Sequence, residues 1–241
     1  MIGANIYERL PSNFCSSEWT VADWPVGRMQ STQALLDIWT HIPGLSAGTY
    51  EAMERRDGKA LAQIHTTAVS IQAQLDKWLI GYQETRGPRL LAPSWLPTHW
   101  QGDLGWQTVL VFQETEDAGD YLSYCTASNL VLRAALAVVQ ALGPKLKLDD
   151  GWNAEDLRNR IHRNAIDVCR CIEYMVADER RGAGIFHLMM PTTGAWQVLR
   201  KDTPEGIWLR EAMRDIHGDV MDGWRSMQGI LGNLYKSDTW L

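Results

Sequence analysis

The sequence has few cysteines, few phenylalanines and no excess of positive charge. Its four cysteines are Cys15, Cys125, Cys169 and Cys171. So few cysteines are unlike the disulfide framework of a secreted protein, and they favour a reducing intracellular compartment, cytoplasmic or nuclear. The formal net charge is −6. Because direct binding of nucleic acid depends on clustered lysine and arginine, we expect no direct nucleic-acid partner.

Segments typical of exported and membrane proteins are also missing. Residues 1–10 have neither a cationic flank nor an apolar run, so the sequence predicts no secretory signal peptide. Residues 130–142 are apolar apart from Arg133 and Gln140. This segment is too short and too interrupted to span a bilayer, and we expect no membrane partner.

Local motifs for metals and nucleotides are lacking. None of the six histidines has the spacing H-x-x-x-H or H-E-x-x-H, which places two zinc ligands on one helical face. Spacing does not exclude ligands that converge from distant helices. No P-loop or G-x-G-x-x-G is present, because Gly182-Ala183-Gly184 lacks a preceding strand and a third glycine. We expect no metal site and no cofactor.

Two partial motif matches have simpler structural interpretations. Residues 44–48 fit G-x-S-x-G, but a helical stripe precedes them where a hydrolase needs a strand. We therefore predict that Ser46 caps the next helix. Asp149 and Asp150 resemble the start of an acidic magnesium motif, but Asn153 stands where a third acid is needed. A polar loop is predicted there.

Apolar residues recur with a helical period along most of the chain. One stripe predicts a helix of about twenty residues and consists of Leu61, Ile64, Ala68, Ile71, Leu75 and Trp78. Further stripes predict helices over residues 157–176 and 220–234. Thr203 followed by Pro204 is typical of a helix start.

The most apolar helix is predicted within residues 117–142. Its second half is apolar on nearly every face, which is typical of a helix at the centre of a bundle. Residues 107–113 form the only plausible strand, and they have no obvious partner. The sequence therefore predicts an all-α single domain over residues 1–241, with roughly eight helices around an apolar central helix.

Tryptophan is over-represented, with twelve residues against three phenylalanines. The indoles either fill the core or line a pocket whose ring faces hold an apolar or cationic ligand. A core and the lining of an apolar pocket look alike in sequence, and the core is the simpler interpretation.

Polar side chains on the predicted buried helices are the candidates for chemistry. Those on the central helix are Ser123, Thr126, Ser128 and Asn129. We predict Glu173 and His187 as acid and base groups and Tyr174 as a further catalytic residue, since ionisable groups in an apolar bundle acquire shifted pKa values. The predicted substrate-binding residues are Tyr121, Tyr124, Trp78 and Trp196. The alternative interpretation is that each polar group is hydrogen-bonded or reaches solvent.

Several segments carry a family resemblance, in the same order along the chain. The first are Ser17-Glu18-Trp19 with Trp24, and Leu35-Leu36-Asp37-Ile38 with Ile42-Pro43-Gly44. The later ones are Leu75 with Trp78, residues 118–136, residues 169–174, Met190-Pro191 with Ala195, and Trp208. Together they resemble the helical regulatory domain of fungal binuclear-zinc-cluster transcription factors. The resemblance implies an all-α fold and a fungal, intracellular setting, often linked to secondary metabolism.

One part of the family pattern is missing, and it separates the functional hypotheses. The family's six-cysteine zinc cluster, which presents a helix to DNA, does not occur here, so we expect a truncated regulator or a helical domain with another task. The first hypothesis is a stand-alone protein that binds an apolar small molecule and catalyses a cofactor-free, non-redox step such as cyclisation or isomerisation. The alternative is a regulatory or protein-interaction domain without catalytic activity. The third hypothesis is a homodimerisation module.

Overall fold

The computed structural model describes residues 28–143 and 151–218. These residues form seven helices and two short strands. In chain order they are α1 (Arg28–Trp39), α2 (Ile42–Arg55), α3 (Gly58–Arg86), β1 (Arg89–Leu91), β2 (Val109–Val111), α4 (Thr115–Leu142), α5 (Ala154–Val176), α6 (Arg181–Val198) and α7 (Pro204–Gly218). The predicted all-α character is confirmed.

The predicted count of roughly eight helices is not matched. Two helices are much longer than the average of about eleven residues on which that count was based. Helix α3 has 29 residues and α4 has 28. The predicted helix over residues 220–234, the Asp149–Asp150 loop and Cys15 lie outside the described residues.

Polar side chains at the helix starts satisfy backbone N–H groups that have no partner within the helix. Asp57 caps α3 by accepting from the backbone of Lys59 and Ala60, both at 3.0 Å. Asn153 caps α5 in the same way. The predicted start of α7 is confirmed, because the Thr203 hydroxyl accepts from a backbone N–H in the first turn of a helix that begins at Pro204.

Helix α4 lies at the centre of the fold. It packs against α2, α3, α5 and α6, and residues on all of its faces are buried. By length and composition it is the one candidate membrane span within the described residues. Most of that candidate segment is buried inside the protein, which is the arrangement expected of a core helix.

The apolar stripes of α3 and α5 face this central helix, as their spacing predicts. In α3 the buried stripe residues are Leu61, Ala68, Ile71, Leu75 and Trp78. In α5 they are Leu157, Ile161, Ala165, Val168 and Ile172. The hydrophobic effect favours this burial and assembles α3, α4 and α5 into the main core.

Two sequence predictions about local structure are wrong. The strand predicted within residues 107–113 has a partner, since β2 pairs antiparallel with β1 and Leu110 lies opposite Leu90. Strand β1 has only three residues, too few to show an alternating pattern. Ser46 lies inside α2 and not at its start. The helix begins earlier because Pro43 occupies the first turn, where no backbone N–H is needed.

Candidate functional site

Four of the predicted site residues belong to one buried aromatic cluster between α3, α4, α5 and β2. The cluster consists of Trp78, Tyr82, Phe112, Tyr121, Tyr124 and Tyr174. Its ring centroids are 5.0 to 6.1 Å apart, within the usual range for interacting aromatic side chains. The rings cover one another, so their faces stabilise the core and are not arranged around an open pocket.

The polar atoms of the aromatic cluster are used by other parts of the protein. The Tyr121 hydroxyl donates to Asp167 at 2.9 Å. The Tyr82 hydroxyl donates to a backbone carbonyl of α4, and the Trp78 indole donates to a backbone carbonyl of α1. Burial raises the pKa values of Tyr82, Tyr121 and Tyr124 far above the usual range of a phenol. These phenols therefore stay neutral and can donate hydrogen bonds, but they cannot serve as bases near neutral pH.

Next to the aromatic cluster, Arg86 lies between two carboxylates of α4. Its Nη1 is 3.2 Å from Oδ1 of Asp117 and 3.1 Å from Oδ2 of Asp120. Its Nη2 donates to the Ser31 hydroxyl at 2.7 Å, and the Thr32 hydroxyl donates to Asp120 at 2.7 Å. We call these five residues the ionic cluster. It ties α1 to α3 and α4.

The ionic cluster is buried and its charges are only partly balanced. The Asp117 side chain is completely buried, and those of Arg86 and Asp120 are each 11% exposed. Desolvation raises the pKa of Asp120, against the opposing effects of the Thr32 hydrogen bond and the Arg86 charge. Removing charges from water costs free energy unless partners compensate. The arrangement therefore links the helices through salt bridges and hydrogen bonds, while one guanidinium balances only part of the charge of two buried carboxylates.

Glu173, the first predicted acid/base residue, anchors the loop of residues 92–108. Its carboxylate accepts from the backbone N–H of Ser94 at 2.9 and 3.0 Å, and also from the Ser94 hydroxyl. Two further contacts hold this loop. Arg170 of α5 donates to the backbone and side chain of Thr108, and Asp215 of α7 accepts from the backbone of Thr98.

His187, the second predicted acid/base residue, is half-buried on α6 and lies against α4. A side chain at Gly119 would come within 2.8 Å of its Nδ1, so the two helices approach closely there. Within the described residues, no hydrogen bond or ion pair joins His187 to Glu173. The predicted acid and base are therefore not paired.

Tyr174 lies on α5 within the aromatic cluster, whereas Trp196 lies on α6 outside it. Tyr174 packs against Phe112, and the guanidinium of Arg180 lies 4.1 Å above its ring. Burial raises the pKa of Tyr174, opposed by the charge of Arg180. Trp196 is half-buried on α6 and packs against the main core.

A cavity of about 30 Å³ lies between α4, α5 and α6. Its lining consists of Thr126, Asn129, Leu130, Arg133, Val168, Met190, Pro191, Gly194 and Gln197. Thr126 and Asn129 are two of the polar residues that the sequence singled out on the central helix. The Oδ1 atom of Asn129 is buried and has no hydrogen-bond partner within the described residues.

The described residues contain no group of three or more histidine, cysteine or acidic side chains that could hold a metal ion. Cys125, Cys169 and Cys171 are free and buried. Burial raises the pKa of each of these thiols. They are therefore core residues rather than nucleophiles, because nucleophilic attack requires the accessible thiolate.

Sequence reasoning missed Tyr82, Arg86, Asp117 and Asp120. A signal was present in the sequence, because Asp117 and Asp120 lie three positions apart near the start of the mostly apolar helix α4. Buried carboxylates need a cationic partner, and that requirement points to an arginine elsewhere in the chain.

No protein-family model, no curated protein and no solved structure matches this chain.

Proposed function

We propose that this chain is a helical regulatory or protein-interaction domain that acts without catalysis, in a fungal secondary-metabolism setting. The observation that carries the proposal is the position of Glu173. Its carboxylate accepts three hydrogen bonds from Ser94. A carboxylate engaged in this way positions a loop, and within the described residues no hydrogen bond or ion pair joins it to a basic group that could relay a proton.

The cavity between α4, α5 and α6 is too small to enclose a whole substrate. Sites for small-molecule ligands generally have volumes of about 300 Å³ or more. The cavity between α4, α5 and α6 has a volume of about 30 Å³. The predicted wall residues Trp78, Tyr121 and Tyr124 pack against one another in the aromatic cluster, which leaves their faces unavailable to a substrate.

The residues that carry the family resemblance are mostly packing residues. Leu35, Ile38 and Ile42 are buried near the start of the described chain, and Cys171 and Trp208 are buried later in it. These positions contribute to a helical architecture and not to a reaction centre. Their burial fits the proposed role in regulation or protein interaction, which needs a stable helical scaffold.

Deletion of the gene and complementation in the source organism test this proposal. For a regulatory domain, we expect deletion to change the transcript levels of several genes together and to remove whole groups of products. A double variant, Glu173→Gln with His187→Ala, should restore both readouts when its protein level matches the wild type. An enzyme predicts the opposite pattern: unchanged transcripts, accumulation of one precursor, and no rescue by the double variant.

A further inference from the structure

Helix α1 is fastened to the ionic cluster near its start, by the turn that contains Ser31 and Thr32, which we call the strap. The Trp78 indole donates to the backbone carbonyl of Ser31 at 2.7 Å, and Arg86 donates to the Ser31 hydroxyl at 2.7 Å. The Thr32 hydroxyl donates to Oδ2 of Asp120 at 2.7 Å. Three polar contacts therefore converge on two adjacent residues of α1.

The rest of α1 is held in a different way. Leu35, Ile38 and Trp39 are buried in the main core, so the hydrophobic effect fixes the second half of the helix. Ser31 and Thr32, in contrast, are only half-buried. Segments with few buried apolar contacts open locally at low cost in free energy, whereas core segments open only with the whole fold. The strap can therefore open while the remainder of α1 stays in place.

The charges of the ionic cluster give the strap a reason to open. Asp117 and Asp120 share the guanidinium of Arg86, at 3.2 and 3.1 Å, and one positive charge cannot balance two carboxylates. A buried carboxylate without a full partner gains free energy when water reaches it. Because Thr32 of the strap contacts Asp120 directly, opening the strap admits water to this carboxylate.

Several ionisable groups lie on the elements packed around Asp120, namely Arg86 and Tyr82 on α3, Asp117 on α4, Asp167 on α5 and His187 on α6. Arg86 attracts the ionised carboxylate of Asp120, whereas Asp117 repels it. Asp167 pairs with Arg170 of its own helix. Within the described residues, His187 forms no hydrogen bond or ion pair with Asp120. Arg86 is therefore the one cation that contacts Asp120 in the described part of the chain.

Burial outweighs the attraction to Arg86 while the strap is docked. Desolvation is the largest influence on Asp120 and raises its pKa above 3.8, although the Thr32 hydrogen bond and the Arg86 charge lower it. When the strap opens, water reaches the carboxyl group and its pKa falls towards the ordinary value. The docked strap therefore holds the Asp120 proton more tightly than the open strap does. Its stability is fully present below the pKa of the open state and is lost as the pH rises through the pKa of the docked state.

We propose that the strap is a pH-sensitive device, which stays docked while Asp120 is protonated and opens when Asp120 ionises. Ionisation leaves a buried negative charge that Arg86 cannot balance, and opening solvates that charge. The same motion releases the Trp78 indole N–H from the Ser31 carbonyl. The inference goes beyond the proposed function, because it depends only on the contacts between α1 and the ionic cluster.

The indole N–H of Trp78 reports whether the strap is docked, because its hydrogen bond ends on Ser31. Its hydrogen exchange can be followed by NMR on the full chain, with the resonance assigned by Trp78→Phe. We define protection as the exchange rate of a free indole divided by the measured rate at the same pH. We expect protection to fall as the pH rises, by up to about tenfold per pH unit while Asp120 ionises, since opening releases one proton.

The indole of Trp106 is the internal control for global unfolding. Trp106 and Trp78 are both 8% exposed, but Trp106 packs against Trp208 of α7, away from α1. We expect its protection to stay unchanged over the range in which Trp78 responds. An equal loss of protection at both indoles would show that the whole fold opens and would contradict a local strap.

Asp120→Asn tests whether this carboxyl group causes the response, because asparagine keeps the size and one acceptor oxygen but cannot ionise. We expect the protection of Trp78 in this variant to be independent of pH. Asp37→Asn is the matched control, since Asp37 is an acid on α1 whose carboxylate accepts from Gln33. It should keep the wild-type response. The same pH response in wild type and Asp120→Asn, or a wild-type protection that rises with pH, would overturn the proposal.

Thr32→Val decides the question if Asp120→Asn does not fold. Valine keeps the shape of threonine but removes the hydrogen bond that partly satisfies the ionised Asp120. We expect the protection of Trp78 to fall further between low and high pH than it does in wild type. Thr67→Val is the control, because Thr67 is exposed on α3 and its hydroxyl bonds only within that helix. A pH response of Thr32→Val equal to that of this control would contradict the strap.

Discussion

Arg86 on α3 and Asp120 on α4 form a salt bridge of 3.1 Å in which each side chain is only 11% exposed. The same guanidinium also contacts Asp117, whose side chain has no exposed surface. Through Ser31 and Thr32 the cluster also reaches α1. One arginine therefore contacts two buried carboxylates and links three helices, so its loss should affect the whole fold.

We expect Arg86→Met to lower the free energy of unfolding by about 3–5 kcal/mol, because it leaves buried carboxylates without their cation. Urea-induced unfolding measures the change. Arg55→Met is the control, since the Arg55–Glu51 pair lies on the surface with side chains 72% and 58% exposed. Exposed pairs contribute about 0–1 kcal/mol. Equal effects of the two substitutions would show that burial of the Arg86 pair does not govern its contribution.

The pH dependence of stability tests the desolvation of Asp120. Burial raises its pKa in the folded protein above the ordinary value of 3.8. The folded state therefore retains a proton at pH values where the unfolded chain has released it. The contribution of the Asp120 carboxyl to the free energy of unfolding is fully present below its pKa in the unfolded chain. It is lost as the pH rises through its pKa in the folded protein. We expect wild type to lose stability relative to Asp120→Asn as the pH rises above the ordinary carboxyl pKa of 3.8 and through the raised folded-state pKa.

Asp202 provides a control of opposite sign for this pH experiment. It is exposed and pairs with Arg200 at 2.8 Å, and the hydrogen bond from Arg200 lowers its pKa. Any contribution of Asp202 to stability is therefore lost as the pH falls. The wild type should become more stable relative to Asp202→Asn as the pH rises. If the wild type instead became more stable than Asp120→Asn as the pH rises, the attraction of Asp120 to Arg86 would outweigh its desolvation.

The helices were predictable from sequence because burial imposes a period on apolar residues. The stripes ending at Trp78 and Val176 predict the buried faces of α3 and α5, since each face meets the same central helix. The start of α7 at Pro204, capped by Thr203, was also predictable, because capping depends on neighbouring residues. The same reasoning misplaced a cap at Ser46, which lies inside α2. Strand β1 was not predictable, since three residues carry no alternation.

The contents of the candidate site were harder to predict than the helices. Arg86 is the last residue of α3, a position where most arginines reach solvent, and its burial depends on acids more than thirty positions away. The cavity beside Asn129 exists because side chains from three helices do not quite fill the space between them. Such a gap is a property of packing, and no short sequence pattern records it.

The role of Glu173 as an anchor of the 92–108 loop leads to a prediction about local unfolding. We expect Glu173→Ala to increase chymotryptic cleavage within this loop about tenfold, because charge-assisted hydrogen bonds to Ser94 are lost. Limited proteolysis under native conditions measures the rate. Glu179→Ala is the control, since the Glu179 side chain is 81% exposed. A cleavage rate equal to that of the control would contradict the anchoring role of Glu173 and favour a chemical role instead.

Close packing of α6 on α5 makes Gly184 irreplaceable. A Cβ at this position would lie 1.9 Å from the backbone oxygen of Met175, a distance that forces the helices apart. We expect Gly184→Ala to lower the free energy of unfolding by about 2–3 kcal/mol, as overpacking does elsewhere. At Gly182, where a Cβ meets nothing within 4 Å, alanine should instead raise it by about 0.5–1 kcal/mol, because alanine favours the helix. Urea unfolding of both variants decides the matter, since effects of the same sign and size would mean that α5 and α6 do not approach as closely as the structure places them.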